Sequence, residues 1–477
     1  MKKVISIISL SLLLMLQISD GQTNVLIATC SGGGANNWGC IFQTDSLGNN
    51  FHIIYSFDST NGIPCSNMVQ ANNGKVYGIG GGGGGWITQN CIFEFDPISG
   101  TGSNVHNFYP DSSNGYIAIT GMIKGLDGTL YGLCDSGGLN HKGVIYSFDP
   151  NSHIYTNIFS FNDTLGGSPF GKLLELSTKK LYGMTNIGGA YGYGVIFCYD
   201  LSTNIYLDLH DFDSTFGSNP IYGGLIQATD GKLYGMTSYG GLNNSGVIFN
   251  FDLSTNVYTD IYDFMGYPGN GRNPAASLIQ ASNGKLYGMT AFDGTNYGGT
   301  IFSYDINTNT YTDLFNFGGN LLNGWGPLGN LYQYGNYLFG TVQCPNTNYG
   351  YGSAFKMKLT NHAVYDIQDF SPPNTFEAWG DFLAISISTG IPTINGNSEC
   401  KLYPNPTSGT FTLSYNSQLS IPNSQLKIYD VLGQEVYTQP ITNPNQTTIN
   451  ISQLSNGVYF YQLINNKETL RGKFIKQ

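Results

Sequence analysis

Apolar positions in this chain come in short runs separated by Gly, Asn, Asp and Ser. Residues 225–264 hold four in succession: Leu225–Ala228, Lys232–Thr237, Gly246–Asp252 and Val257–Phe264, here called a, b, c and d. Short runs rich in aromatic and β-branched residues, bounded by turn formers, predict strands rather than helices. The a–b connections carry Asn73-Gly74, Asp127-Gly128, Asp230-Gly231 and Asn283-Gly284. Such pairs accept positive φ and mark tight hairpins. The c–d connections place Asp149, Asp200, Asp252 and Asp305 at matching positions. An Asp before a Ser/Thr/Asn turn caps backbone amides. Calcium is the alternative, but no EF-hand spacing is present.

The pattern repeats. The Phe that closes each copy falls at Phe57, Phe108, Phe161, Phe212, Phe264, Phe317 and Phe370, at intervals of 51, 53, 51, 52, 53 and 53 residues. The strand-b aromatic keeps the same register at Tyr77, Tyr131, Tyr182, Tyr234, Tyr287 and Phe339. Four antiparallel strands in about 50 residues fit one blade of a β-propeller. Copy 1 starts at strand b, Val25–Cys30. After copy 7 comes one more apolar run, Phe382–Ser388. A last strand that completes the first sheet would remove two open edges. The expectation is an all-β chain: a seven-bladed propeller over residues 25–388, with blade 1 built from both ends.

The block Gly231–Asp252, "GKLYGMTSYGGLNNSGVIFNFD", and its relatives at 179–200 and 284–305 resemble the bacterial GloVer tandem propeller repeat. Pairs such as Gly188-Gly189 and Gly240-Gly241 are also similar to kelch repeats. The resemblance implies the architecture and no particular activity.

Residues 389–400 read as a polar linker. Beyond them, alternating strands at Gly409–Tyr415, Gln425–Asp430, Thr447–Ile451, Gly457–Leu463 and Arg471–Ile475 predict a small Ig-like β-sandwich over 401–477. The segments "LYPNPTSGTFTL" (402–413), "IYDVLGQEV" (428–436), "ISQLSNGVYFYQL" (451–463) and "GKFIK" (472–476) resemble the type A sorting domain of the type IX secretion system. That resemblance implies the secretion machinery as a partner and export across an outer membrane. An ordinary Ig-like binding module is the other reading.

At the other end, Lys2 and Lys3 precede an apolar run from Val4 to Leu16. This pattern predicts a signal peptide over 1–22. The mature protein is expected to be secreted or displayed on the cell surface, where cysteines can oxidise. Composition then narrows the partners. The net charge is −11, and Arg272 and Arg471 are the only Arg. Nucleic acid needs clustered cations, so it is not expected as a partner. The 65 Gly fall largely in repeated turns.

Connection lengths divide the propeller into a short-turn face (a–b, c–d) and a long-loop face (b–c, d–a). Long loops on a rigid scaffold carry binding sites. Trp38, Trp86, Trp325 and Trp379 fall in the long-loop set, as do Tyr191, Tyr193, Tyr239 and Tyr297. Aromatic faces stack on apolar sugar faces, so these are candidate glycan-binding residues; packing between blades is the alternative. Gln70, Lys124, Glu175, Gln227, Gln280 and Gln333 share one place on strand a. They would form a polar ring in the channel, able to hold a small ligand or simply face water.

Catalysis finds little support. No H-E-x-x-H or G-x-S-x-G motif occurs, and no metal or cofactor is expected. A polysaccharide hydrolase or lyase remains the alternative function if carboxylates such as Asp135, Glu175 and Glu377 converge. Repeat alignment puts Cys30 at the end of a b strand and Cys40 at the start of the next c strand. Cys65 precedes an a strand, and Cys91 starts the c strand of the same copy. Cys30–Cys40 and Cys65–Cys91 are candidate disulfides.

Overall fold

The computed structural model describes residues 22–60, 62–64, 66–81, 90–109, 113–221, 223–318, 326–343, 352–370, 375–376, 380–388, 401–414, 425–430, 435–441, 446–464 and 469–477. Residues 1–21, within the expected signal peptide 1–22, the expected linker 389–400, Cys65 and Trp86, Trp325 and Trp379 lie outside them. Every regular element described is a strand. The chain divides into two compact units, Asn24–Ile385 and one containing Ser386–Gln477.

In the larger unit each sequence repeat is one antiparallel sheet in the order a-b-c-d. Repeat 5 is typical, with strands Ile226–Gln227, Leu233–Thr237, Val247–Asp252 and Val257–Asp263. Strand a is shorter than its apolar run suggested. The first sheet runs Leu383–Ser388, Gln22–Cys30, Cys40–Asp45, His52–Ser56, so its inner strand comes from the far end of the array. In repeat 2 the segment Ile63–Pro64 also pairs with strand b.

Strands b and c are buried on both faces. The motif residues explain how neighbouring strands fit. Gly235 stands opposite Phe249 in the ladder. A Cβ on Gly235 would lie 2.5 Å from Cζ of Phe249, so the Gly of "LYG" makes room for the Phe of "VIF". The Tyr of "LYG" reaches back to the a–b turn: the Tyr234 hydroxyl donates to Asp230 Oδ2 at 2.8 Å.

From repeat 2 to repeat 6 the sheets pack on one another through a recurring set of contacts. The closing Phe is buried in every repeat. It meets the strand-c aromatic of the following sheet edge-on, as in Phe212–Phe249 (5.5 Å, 65°) and Phe264–Phe302 (5.3 Å, 64°). Such pairs are worth about 0.5–1.5 kcal/mol beyond burial. Two residues earlier a flat ring stacks on the strand-d Tyr of the next sheet: Phe159 on Tyr206, Tyr262 on Tyr311. A bulge recurs between the c and d strands, for example between Ile248 and Phe249. It gives strand d an extra residue, Ile261, which packs into the core shared with repeat 6. A bulge twists the outer strand and re-aims a side chain. The core between repeat 7 and repeat 1 joins Phe339, Ala354 and Phe370 to Leu26, Phe42 and Phe382.

The C-terminal unit has two antiparallel sheets. One orders Lys401–Tyr403, Thr410–Ser414, Gln446–Asn450; the other orders Glu435–Pro440, Gln425–Tyr429, Gly457–Ile464, Thr469–Lys476. Phe411, Leu413 and Ile449 of the first share a core with Leu426, Ile428, Tyr461 and Phe474 of the second. Their alternation along each strand gives one buried face per sheet.

Candidate ligand-binding face

The b–c loops are fixed from beneath. Gly240 and Gly241 have φ of +77° and +76°, and a Cβ on Gly240 would lie 2.8 Å from Gly217 Cα. Asn243 donates to the Phe264 carbonyl at 3.0 Å, and the Leu242 amide donates to Asp263 Oδ1 at 2.6 Å. The d–a loops open with a side-chain-capped turn: Asp213 accepts from the Thr215 and Phe216 amides. Four d–a loops then bridge to the b–c loop of the next sheet, Tyr116 to Ser136, Gly167 to Ile187, Ser218 to Tyr239 and Arg272 to Phe292.

With their backbones held this way, the loops leave aromatic side chains in solvent. Tyr191 is 63% exposed, and Tyr193, Tyr239 and Tyr297 are exposed too. Phe216, Tyr267 and Phe292 join them, and Leu139, Leu242 and Met265 add aliphatic surface. The sequence signal for Phe292 was its place in a b–c loop, yet it was not singled out. Tyr267 and Tyr297, from neighbouring loops, stack with centroids 4.6 Å apart. Trp38 is half-buried.

The strand-a ring is engaged with protein. Gln280 Oε1 accepts from the Thr229 amide of the preceding repeat at 2.8 Å, and Gln333 Oε1 accepts from Ser282 at 2.9 Å. Glu175 Oε2 accepts from the Leu126 amide at 2.7 Å. Gln70 and Gln227 donate to the carbonyls of Gly74 and Gly231 in their own turns. Lys124 is exposed. Glu175, Gln280 and Gln333 thus stitch sheet to sheet, while Gln70 and Gln227 brace their own turns.

A second stitch lies three residues earlier. The Gly224 amide donates to Ser277 Oγ, Ser277 to Asn330 Oδ1, and Asn330 to Asp381. Burial pushes the Asp381 carboxyl up, while Lys172 and the two bonds from Asn330 pull it down.

Among the carboxylates weighed for catalysis, Asp135 and Glu175 do not face each other. Glu175 sits beside the a–b turn, and Asp135 follows the far end of a b strand. One five-residue strand separates those ends, about 16 Å. Asp135 is bonded to Ser136, and burial raises its carboxyl. Glu377 lies outside the described residues. The c–d Asp residues cap turns: Asp252 accepts from the Ser254 amide and hydroxyl. No group of three or more metal-ligating side chains occurs among the described residues.

The cysteines Cys30, Cys40, Cys91, Cys134 and Cys198 are buried thiols. Cys30 and Cys40 stand opposite each other in the ladder and share a side-chain hydrogen bond.

The chain belongs to the Gloeobacter/Verrucomicrobia repeat family, whose model matches residues 15–227, 83–284 and 209–379. Residues 401–477 match the secretion system C-terminal sorting domain. That domain marks the protein for export across the outer membrane, to the cell surface or beyond, and implies contact with the type IX machinery. No helix among the described residues is long and apolar enough to cross a membrane. No curated protein matches the chain.

Among solved structures, a proposed 6-phosphogluconolactonase from Bacteroides uniformis is similar at 14% identity, over 76% of this chain and 100% of that one, with a TM-score of 0.53. PorZ, a surface component of the type IX secretion system of Porphyromonas gingivalis, is similar at 14% identity over 92% of this chain (TM-score 0.43). The extracellular domain of a proposed one-component system from Bacteroides thetaiotaomicron is similar at 11% over 93% (TM-score 0.44). The chain spans 63% and 61% of the last two. At these identities the likeness is one of fold alone.

Proposed function

We propose that this exported protein is a non-catalytic binding module. Residues 25–388 form one seven-bladed β-propeller closed through blade 1, and 401–477 form an Ig-like sandwich that directs secretion. Residues 1–22 act as the signal peptide and 389–400 as the linker. The long-loop face binds a glycan or a surface protein.

One observation carries this reading: a set of exposed aromatic rings, Tyr191, Tyr193, Tyr239, Tyr267 and Tyr297, on loops whose backbones are held by side-chain and glycine contacts. Exposed flat rings on rigid supports cost little entropy on binding. The separation of Asp135 from Glu175 weighs against a hydrolase or lyase, which needs two facing carboxylates.

A glycan array followed by titration tests the proposal. Binding is expected, and Tyr191→Ala, Tyr239→Ala and Tyr297→Ala should each weaken it. No binding to any glycan or surface extract, or binding indifferent to all three changes, defeats it. Deleting residues 401–477 should retain the protein inside the outer membrane; continued export would remove the sorting role.

A further inference from the structure

Arg272 is one of two arginines in a chain of net charge −11. It lies on the long-loop face, in the loop that follows strand d of repeat 5. Its Nε pairs with Asp293 Oδ2 at 3.0 Å, and its guanidinium lies 5.8 Å from the centre of the Phe292 ring. The Arg272 side chain stays 52% exposed, while that of Asp293 is 14% exposed. The carboxylate therefore holds the fork from below through one of its five donors.

The stacked pair is next to it. Gly266, adjacent to Tyr267, comes within 3.6 Å of Asp293 Oδ2 when given a Cβ. Asp293 also bridges to Gly298, adjacent to Tyr297. Tyr267 and Tyr297 are 55% and 51% exposed. Two loops thus gather three exposed aromatic rings and one guanidinium around a single aspartate.

We infer that this cluster is a subsite for an acidic sugar residue, whose ring lies on the Tyr267–Tyr297 pair and whose carboxylate or sulfate is bound by Arg272. The inference rests on the glycan reading above and names the ligand's charge. Arg suits this task because its planar fork matches carboxylate and sulfate oxygens two at a time. Phe292 and Asp293 hold the fork before the ligand arrives, so less side-chain entropy is lost on binding. The rest of the protein repels anions, which limits the site to ligands that place an acid group at Arg272. A polyanion such as nucleic acid would need many more cations.

The test uses the full mature chain and three oligosaccharide probes: oligogalacturonate, its fully methyl-esterified form, and a sulfated galactan oligosaccharide that carries no carboxylate. Binding is measured by calorimetry at low and moderate salt. At least one acidic probe should bind about tenfold or more tighter than the ester. Which one binds tells carboxylate from sulfate. Arg272→Gln should erase the difference without lowering the melting temperature, and Arg272→Lys should restore only part of it. Equal binding of acid and ester, or a preference that survives Arg272→Gln, overturns the acidic subsite. If in that case Tyr297→Ala still weakens binding of the ester, the broader glycan reading stands. Absence of binding by all three probes overturns the subsite, and absence across the glycan array overturns both.

Discussion

His210 and Tyr258, from neighbouring sheets, stack with ring centres 4.1 Å apart and planes 7° from parallel. The Tyr258 hydroxyl donates to the Phe216 carbonyl at 2.7 Å, so the stack also anchors the loop below an exposed aromatic. Burial holds the imidazole pKa below the usual 6.5, against the pull of Asp211 and Asp213. The unfolded chain therefore takes up the proton first, and stability falls as pH drops below about 6.5. His210→Phe should remove this His210 component of the acid loss. Phe159 already makes the same stack on Tyr206, so the ring is tolerated there. Melting temperatures of both proteins from pH 7.5 to 5 check it; parallel curves would refute the role of His210.

The outer strands carry the opposite pH effect. Burial and the nearby Asp263 push Asp260 up to about 6. Asp263 accepts from the Leu242 amide, which fixes its carboxylate in place near Asp260. The folded pKa exceeds the unfolded one. The penalty is complete above pH 6 and fades as pH falls through 6 toward 3.8. Asp260→Asn should stabilise by roughly 1 kcal/mol at pH 7.5, once the half-exposed position is discounted for screening, and by nothing near pH 4. In repeat 3 an amide, Asn157, already occupies this place and donates to Ser160. Denaturant unfolding at the two pH values decides it.

Asp381 belongs to the segment that closes the first sheet and accepts two bonds from Asn330 of repeat 7. Asp381→Ala would leave the half-buried amide and carboxamide of Asn330 without their acceptor. The expected loss is about 2–4 kcal/mol, with protection from hydrogen exchange falling first in residues 383–388 and 22–30. Equal loss in repeat 4 would show that the contact does not act at the closure.

Cys30 and Cys40 occupy a ladder rung where side chains meet across the strands. At the matching rung of repeat 6 the hydroxyls of Thr290 and Thr300 lie 3.0 Å apart. In the exported protein the two thiols should therefore oxidise to a disulfide by exchange with a disulfide-bonded oxidant, which takes up the two electrons and two protons and leaves as two thiols. Mass spectrometry after alkylation, with and without reduction, should show a Cys30–Cys40 linked peptide. Alkylation of both thiols in unreduced exported protein would refute the bridge.

Much of this fold is written locally. The period of the closing Phe set the repeat, the Asn-Gly and Asp-Gly pairs set the hairpins, and the "LYG" and "VIF" motifs met as Gly235 beneath Phe249. A steric fit between adjacent strands leaves its mark at fixed spacing, because every repeat must solve the same problem.

The candidate site was less legible. The strand-a polar ring could hold a small ligand or simply face water, because periodicity reports that a position matters without saying to what. In the structure Gln280 and Gln333 bond the preceding repeat's backbone, and Gln70 and Gln227 bond their own turns. Tyr191 and Tyr206 are both loop-or-strand tyrosines of one repeat. One is exposed, and the other lies flat against Phe159. Nothing in their residue type separates them; the neighbouring sheet does.

The sequence by itself determined the repeat, its strands, the matched sorting domain and hence export. Only the tertiary structure decided which polar and aromatic side chains are used between sheets and which stand free. That choice depends on contacts between residues about fifty positions apart, where chain order carries no geometric information and packing supplies all of it.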